Sequence, residues 1–418
     1  MHGLPYGSSR NVLSLLLSLF LLLAGVSACS QISPGNTQDQ KPVTIGYSIS
    51  LTGSLAADGK ALQAGYELWR DAVNQQGGLL GHQVLLKAYD DASDPNRAVA
   101  NYQKLIESDH VDLLLGPFST RMTIPTMHVA DEHDYAFIGG AGNGKTAYLQ
   151  KLQHQSFFMA SLPSETSLDS FSEFLLALPV DMRPKTVAYV TQDDPFAVPQ
   201  VAYAQTVLSK GGLKTVFEQQ PFSTNLQDVS PIAEKVARTH ADVVVFGSVG
   251  LGPLVSFIKT CQQLHYNPKA FVATSGAKNG SDFVKAVGTK GTEGVFVPNS
   301  GWYPGENTYQ NAQFTQQYLA KYGGSADAIS SDAVQGYSAG QILEQAVNQA
   351  KSLQNPILIK TLHEGTFSNL FGPVKFDDQG RNTLGTSSLF QWQHDALVLV
   401  SPFGQAQVNP EYPKSPWS

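Results

Sequence analysis

The amino-acid sequence predicts an α/β protein made of two doubly wound lobes, each with a parallel sheet covered by helices. Short apolar or β-branched runs alternate with stretches of helical period along most of the 418 residues. This alternation is typical of parallel sheets that carry helices on both faces. One continuous sheet with so many strands would be implausibly wide, so we expect two sheets that face each other across a cleft.

The first series of elements follows a strand, helix, strand order from residue 43 to residue 138. Its first helix has an apolar face at helical spacing and is followed by a glycine pair, which is a common way for a helix to end. The predicted elements are strand 43–49, a helix with Leu62, Tyr66, Trp69 and Val73 on its apolar face, strand 83–88, helix 95–108, strand 111–115 and strand 135–138.

A second series begins near Ser161 and repeats the same order. Two long helical stretches follow it, and we expect them to pack back on the first lobe. The tail from Ser401 is rich in Pro, Gln and Asn and is expected to be an extension. The predicted elements are strands 186–190, 214–217, 243–246, 271–274 and 295–297, and helices 307–322 and 332–351.

The N-terminus has the pattern of an exported lipoprotein. An apolar run at 12–26 follows Arg10 and is too short to span a bilayer, as in a secretory signal peptide. Val26-Ser27-Ala28-Cys29 resembles a bacterial lipobox, which implies removal of residues 1–28 and lipidation of Cys29, with 29–41 as a flexible tether. A plain signal peptide with an incidental cysteine is the alternative.

Charge and cysteine content exclude several classes of protein. The net charge of −7 with no basic stripe argues against nucleic acid binding, which needs clustered Lys and Arg. Two cysteines exclude a disulfide framework, and Cys261 is expected to be a core residue. His128 and His133 lie five apart, so on a helix they point in different directions and do not form a zinc site. We expect no metal and no cofactor.

Residues 139–146, GGAGNGKT, match the phosphate-loop pattern and follow an apolar strand. Export places this loop where nucleotide is scarce, and the polar segment after it has weak helical period. Asp193 could serve as the acidic magnesium partner, but nothing distinguishes it. We therefore interpret the match as accidental, although the backbone N–H groups of such a loop can bind a small anion.

Gly336-Tyr337-Ser338-Ala339-Gly340 matches the nucleophile elbow of hydrolases, and Asp377 and His394 follow in the expected order. An elbow needs a buried strand before the serine. Residues 329–333 are polar and lead into a helical pattern, which places Ser338 in a helix. An exported hydrolase that uses Ser338 remains the enzymatic alternative, and no catalytic residue is assigned.

Several short motifs together resemble the branched-chain amino-acid-binding (Leu/Ile/Val) proteins of ABC importers, which have the type I periplasmic-binding-protein fold. The resemblance covers roughly residues 43–400, and its strength comes from order and spacing. The motifs include Ile45-Gly46, Leu51-Thr52-Gly53, Tyr89-Asp90-Asp91, Gly116-Pro117, Tyr322-Gly323, Gly336-Tyr337-Ser338-Ala339 and Phe390-Gln391-Trp392.

The resemblance implies two lobes joined by a three-crossover hinge. The N-terminal lobe would hold 42–160 and 299–384, the C-terminal lobe 161–298 and 385–400, and 401–418 would form the tail. By the same resemblance, the residues that match ligand contacts are Ser119, Thr120, Ala141 and Asn143 on one lobe and Phe196, Val249 (or Gly250) and Ser275 on the other. Ser119 or Thr120 could instead cap a helix, and Phe196 could be core.

One position departs from the relatives in a way that bears on specificity. Relatives that bind amino acids place an acid near the position of Ser275 to neutralise the ligand ammonium. A buried ammonium without a carboxylate is costly. Asp58, Asp193 or Asp194 could supply one; otherwise the solute would be a carboxylate or a neutral molecule.

The sequence thus predicts a monomeric, lipid-anchored, extracytoplasmic protein that catalyses nothing. It would capture a small solute, such as an amino acid, an amide or an aromatic acid, and deliver it to an ABC permease. Its contact with the membrane would be the lipid on Cys29. A ligand-sensing subunit of a receptor is a second alternative.

Overall fold

The computed structural model describes residues 41–299, 302–385, 387–402, 406 and 408–417. The predicted signal peptide, Cys29 and nearly all of the predicted tether lie outside these residues. Among the helices of the described part, none has both the length and the apolar character needed to cross a membrane.

The first sheet is fully parallel and has the strand order β2-β1-β3-β4-β5. Parallel neighbours need crossover connections, which helices supply except between the last two strands, where the segment 140–156 contains only a 3-10 turn. The elements are β1 (Val43–Ile49), α1 (Ala56–Gln75), β2 (Val84–Asp90), α2 (Pro95–Gln103), β3 (Leu113–Leu115), α3 (Thr120–Glu132), β4 (Phe137–Gly139) and β5 (Phe157–Met159).

The chain then enters a second lobe built in the same way. Strands of this segment form the parallel part of a second sheet, in the order β10-β9-β8-β6-β7. The elements are α4 (Asp169–Ala177), β6 (Thr186–Thr191), α5 (Ala197–Lys210), β7 (Lys214–Phe217), α6 (Ser230–Thr239), β8 (Val243–Gly247), α7 (Leu251–Gln263), β9 (Ala270–Ala273), α8 (Ser281–Thr292) and β10 (Val295–Asn299).

The chain returns to the first lobe and then crosses to the second again, so it passes between the lobes three times. The last two strands add antiparallel to the edge of the second sheet beside β10. The elements are α9 (Asn311–Tyr322), α10 (Ser331–Ala350), α11 (Asn355–Glu364), the hairpin β11 (Phe367–Asn369) and β12 (Gly372–Val374), β13 (Ser388–Gln393) and β14 (Ala396–Ser401). This is the two-lobed α/β fold expected from the sequence.

Helices α1 and α10 pack with their backbones in contact, and glycine makes this possible. A Cβ added at Gly65 would lie 2.1 Å from the carbonyl oxygen of Ala333, and one at Gly336 would lie 2.3 Å from that of Leu62. A Cβ at Gly340 would lie 2.2 Å from the Trp69 ring. The glycines of the segment 336–340 therefore serve helix packing.

The tail ends on the second lobe. The backbone N–H of Lys414 donates to the carbonyl oxygen of Lys269 at 2.9 Å. Trp417 is buried, and its ring lies edge-on to Phe271 with the centroids 5.1 Å apart. The end of the tail thus completes the apolar core of this lobe.

The helix predicted at 95–108 has the predicted bounds, with the α-helical part α2 ending at Gln103 and a single π turn at Lys104–Ser108. The start of another predicted helix is wrong. The helix predicted from residue 307 begins at Asn311, because Gln310 takes a left-handed conformation with φ 58° that cannot lie inside a right-handed helix.

Candidate functional site

A small cavity lies between the two lobes, where loops follow the carboxyl ends of the strands. All seven residues predicted to contact a ligand line it: Ser119, Thr120, Ala141, Asn143, Phe196, Val249 and Ser275. Five further residues complete the lining: Phe118, Gly142, Lys278, Asp332 and Gln335. The cavity measures about 30 Å³, room for about two water molecules. A solute of amino-acid size therefore needs the lobes to separate before it can enter.

Ser119 and Thr120 present hydroxyl groups at the start of α3. Neither acts as a helix cap, because Ser119 makes no side-chain capping bond and the Thr120 hydroxyl accepts the backbone N–H of Gly144 at 3.0 Å. The buried Ser119 hydroxyl has no hydrogen-bond partner in the described part of the chain. The O–H of Thr120 can still be donated, so both residues suit an anionic acceptor beside a helix N-terminus.

The backbone at Ser119 is held in an unusual conformation. Its φ of 77° and ψ of 149° are rare for a residue with a side chain. Gly250 takes nearly the same conformation, φ 84° and ψ 163°, before α7 in the other lobe. Such conformations cost about 1–3 kcal/mol for a residue other than glycine and occur preferentially at functional sites. In each lobe, a residue in this conformation directly precedes a helix and sets the direction of its N-terminus.

The glycine-rich loop after β4 forms one wall of the cavity. Gly142 has φ +99°, and a Cβ there would lie 2.2 Å from the Thr123 hydroxyl oxygen, so the position requires glycine. The side-chain amide of Asn143 donates to the carbonyl oxygen of Leu162. The loop is therefore tied to the first connection between the lobes.

The same loop lacks the structure of a nucleotide site. A phosphate loop leads into a helix whose N-terminus faces the phosphates, but residues 140–146 lead only into the 3-10 turn Ala147–Leu149. The Lys145 ammonium lies 3.5 Å from the Glu165 carboxylate. The match of 139–146 to the phosphate-loop pattern has no structural counterpart.

Phe196, Val249 and Ser275 come from the second lobe. Val249 belongs to the apolar core cluster of the first lobe, and Phe196 packs against the same cluster. Ser275 follows β9 and is buried. These side chains reach across the cleft, so the apolar part of the cavity exists only while the lobes are closed.

In the described residues, three hydrogen bonds join the lobes away from the segments that connect them, and they hold this closed arrangement. The Thr146 hydroxyl donates to the carbonyl oxygen of Pro195 at 3.3 Å. The Ser331 N–H donates to the carbonyl oxygen of Lys278 at 3.3 Å. The third joins two side chains, with the Asn279 amide donating to the Asp58 carboxylate at 3.1 Å.

Asp332 and Lys278 are buried charged residues on the cavity wall that the sequence did not predict. Asp332 lies in the first turn of α10 and is buried, and its Oδ2 has no hydrogen-bond partner among the described residues. Burial raises the pKa of Asp332 well above its usual value; repulsion by Asp58 raises it further and Lys278 opposes the rise. Burial raises the pKa of Asp58 to about 6 and lowers the pKa of Lys278.

The other acids considered from the sequence do not face the cavity. Asp193 is exposed. Asp194 is buried, but its carboxylate accepts the Phe196 N–H at 2.8 Å. Neither Asp193 nor Asp194 lines the cavity. Burial raises the pKa of Asp194, and the nearby Arg121 opposes this shift. Asp194 therefore positions Phe196.

A second cavity of about 270 Å³ adjoins the first. The two share Asn143, Phe196 and Lys278, and the second follows the connections between the lobes. Its charged lining includes Arg381, paired with Asp377 at 2.8 Å. The shared residues make it an extension of the cleft along the hinge.

The remaining motifs form no catalytic or metal site in the described residues. The Ser338 hydroxyl is buried inside α10 and has no hydrogen-bond partner there, whereas His394 is exposed. No group of three or more His, Cys, Asp or Glu in this part of the chain is arranged to hold a metal ion. Cys261 is buried in the core of the second lobe, as predicted.

Comparison with known proteins identifies the family. The family model described as periplasmic binding protein matches residues 42–396. The chain is 25% identical to Leu/Ile/Val-binding protein homolog 8 of Brucella abortus (strain 2308), an alignment that covers 93% of this chain and 97% of that protein.

Solved structures with a similar fold include the following two. The branched-chain amino acid transporter substrate binding protein LivJ from Streptococcus pneumoniae, in complex with isoleucine, superposes with a TM-score of 0.72 at 19% identity and covers 87% of this chain and 100% of that one. A solute binding protein of an ABC transporter from R. palustris, in complex with benzoate, superposes with a TM-score of 0.72 at 19% identity. This match covers 90% of this chain and 98% of that one. The family expected from the sequence is confirmed, and the chain belongs to the periplasmic binding protein family.

Proposed function

We propose that this protein is the solute-binding subunit of an ABC importer, which captures a small carboxylate-bearing solute between its lobes and presents it to the permease. The family implies an extracytoplasmic location and solute binding in place of catalysis. One observation carries the proposal: the seven residues predicted to contact a ligand come from both lobes, and all seven line one cavity.

The cavity offers complementary chemistry to such a solute. The hydroxyl groups of Ser119 and Thr120 and the N-terminus of α3 would receive the carboxylate. The Phe196 ring and Val249 would cover its apolar part from the other lobe. Ala141 and Asn143 would add contacts from the loop after β4, and Ser275 a polar contact from the second lobe.

Closure of the lobes would couple binding to delivery. A solute that contacts both lobes makes its full set of contacts only in the closed form, so binding shifts the population of open and closed forms toward the closed one. The permease would then distinguish loaded from empty protein by shape. Lipid on Cys29 would keep the subunit at the membrane surface, close to the permease.

Thermal unfolding of the purified protein with a panel of solutes tests the proposal. The panel contains L-leucine, L-isoleucine, benzoate, 3,4-dihydroxybenzoate, an amide and a sugar. A solute present at 100 times its Kd should add about 2.7 kcal/mol to the free energy of unfolding. The expected result is a raised Tm with at least one carboxylate of the panel.

Variants then locate the site. Thr120→Val keeps the shape of the side chain and removes the hydroxyl, and it should lower affinity about 10-fold. Thr206→Val, on the exposed surface of α5, is the matched control and should bind as the parent does. A panel without any effect on Tm, or equal affinity in the two variants, would contradict the proposal.

A further inference from the structure

The carboxylate of Asp332 is an unsatisfied acceptor on the wall of the cavity. The residue is 4% exposed, it lines the space between the lobes, and its Oδ2 has no hydrogen-bond donor among the described residues. The Ser330 hydroxyl oxygen accepts a hydrogen bond only from the backbone N–H of Asp332, at 3.2 Å. Burial of an unpaired acceptor of this kind is costly, so a donor that enters the cavity gains by meeting it.

The neighbouring charges leave room for one cation. Asp58 and Asp332 are two acids and Lys278 is one base, so the three groups would carry one net negative charge if all of them were ionised. Lys278 lines the cavity, yet it forms no ion pair with Asp332 or with any other acid in the described residues. Asp332 therefore has no salt-bridge partner among the described residues, although Lys278 lies near enough to act on its pKa.

Asp58 is less suited to receive a ligand. Its Oδ1 accepts the Asn279 amide at 3.1 Å. Its Oδ2 has no hydrogen-bond partner among the described residues, but the residue does not line the cavity. Its influence on the site is electrostatic, because it repels the charge on Asp332. A cation beside Asp332 would relieve that repulsion as well.

We infer that the solute carries an ammonium group beside its carboxylate, and that Asp332 receives this ammonium from the first turn of α10. The inference rests on the proposed function, because it names the class of solute for the same cavity. It also separates the two kinds of ligand seen in similar folds: isoleucine has an ammonium group and benzoate has none. A solute that carried only a carboxylate would leave Asp332 unpaired in the closed cleft.

The assignment moves the acid to a different lobe from the one expected from the sequence. Ser275 follows β9 in the second lobe, whereas Asp332 begins a helix of the first lobe. The hydroxyl groups of Ser119 and Thr120 are also on the first lobe. Both charged ends of a small zwitterion would then dock on the first lobe, and the second lobe would close over its apolar side chain.

The experiment compares solutes that differ only in the ammonium group. Isothermal titration of the purified protein uses L-leucine against 4-methylpentanoate, L-isoleucine against 3-methylpentanoate, and L-phenylalanine against 3-phenylpropanoate. In at least one pair the amino acid should bind about 30-fold or more tightly than its partner, as expected for a buried charge pair. Benzoate serves as an additional probe without ammonium.

Two variants assign the effect to Asp332. Asp332→Asn should reduce the preference for the amino acid to less than about 3-fold, mostly by lowering the affinity for the amino acid. Asp327→Asn, an exposed acid five residues earlier in the chain, should keep the full preference. Thermal unfolding of both variants without solute verifies that they are folded.

The possible outcomes separate this inference from the proposed function. If benzoate or an ammonium-free partner binds tightly and no amino acid binds as tightly, the inference is overturned, while the proposed function of solute binding stands. An unchanged preference in Asp332→Asn overturns it too. Absence of binding by every solute of both panels contradicts the proposed function and the inference together.

Discussion

The side-chain amide of Asn279 in the second lobe donates a hydrogen bond to the Asp58 carboxylate in the first lobe, with 3.1 Å between the nitrogen and the oxygen. Both side chains are buried. A buried hydrogen bond to a carboxylate contributes about 1.5–3 kcal/mol. Because its partners lie on different lobes, this bond stabilises the closed form alone.

Removal of this bond should favour the open form. Asn279→Ala leaves the Asp58 carboxylate without its donor, so we expect the affinity for the bound solute to fall about 10-fold or more. Small-angle scattering of the unliganded variant should show a larger radius of gyration. Asn96→Ala, on the exposed surface of α2, is the control, and equal affinities in the two variants would show that the bond does not govern closure.

The charge of Asp58 should make the unliganded protein less stable at higher pH. Burial raises the pKa of Asp58 to about 6, so the folded protein binds more protons than the unfolded chain between about pH 4 and 6. Stability from this group is therefore present at low pH and declines across that window. Asp58→Asn should gain on the order of 2 kcal/mol relative to the parent at pH 8 and little near pH 4, by urea unfolding.

The exposed Asp181→Asn controls for the change in net charge. It should show no such pH-dependent gain. A loss of stability in Asp58→Asn at pH 8 would indicate that the carboxylate is stabilised in the folded protein, against the direction of its pKa shift.

Binding of an amino acid should release a proton from Asp332. Burial and the charge of Asp58 raise the pKa of Asp332, and Lys278 opposes this rise, whereas a ligand ammonium needs the ionised carboxylate. Affinity should thus increase as the pH rises through the pKa of the unliganded group and become constant above it. Titrations in buffers with different ionisation enthalpies measure the released proton.

The same titrations of Asp332→Asn should show no proton release, while Asp327→Asn should behave as the parent. Affinity that falls with rising pH would mean that a protonated Asp332 donates to a ligand carboxylate, which is the opposite assignment.

The contact between α1 and α10 should tolerate no larger residue at Gly65. A Cβ there meets the carbonyl oxygen of Ala333 at 2.1 Å, so Gly65→Ala must push the helices apart and should cost about 2 kcal/mol or more. Gly305→Ala is the control, since its Cβ would meet nothing closer than 3.8 Å. Equal urea midpoints for the two variants would contradict this packing.

Much of the fold follows from patterns that are local in the sequence. The periodicity of Leu62, Tyr66, Trp69 and Val73 predicts α1, and all four side chains are buried. The predicted cavity residues came from the resemblance to the Leu/Ile/Val-binding proteins, and they follow strand ends, where parallel sheets gather their loops. Their contribution to binding remains a prediction.

The buried charges could not be predicted in the same way. An acid such as Asp332 in the first turn of a helix is an ordinary sequence feature. It interacts favourably with the helix dipole on an exposed surface as well, so its presence does not indicate burial. Its burial arises because the loop that carries Lys278 and Asn279 closes over it from the other lobe. Similarly, the helix predicted from residue 307 begins later because Gln310 takes a left-handed conformation, and the periodicity of apolar residues gives no sign of this conformation.

The most direct measurement is a crystal structure of the protein grown with the amino acid or acid that raises its Tm the most. We predict that density for the solute lies between the lobes, with its carboxylate at Thr120 and its apolar part against Phe196. Density for the solute at any other place, with the cavity between the lobes left empty, would contradict the proposed function.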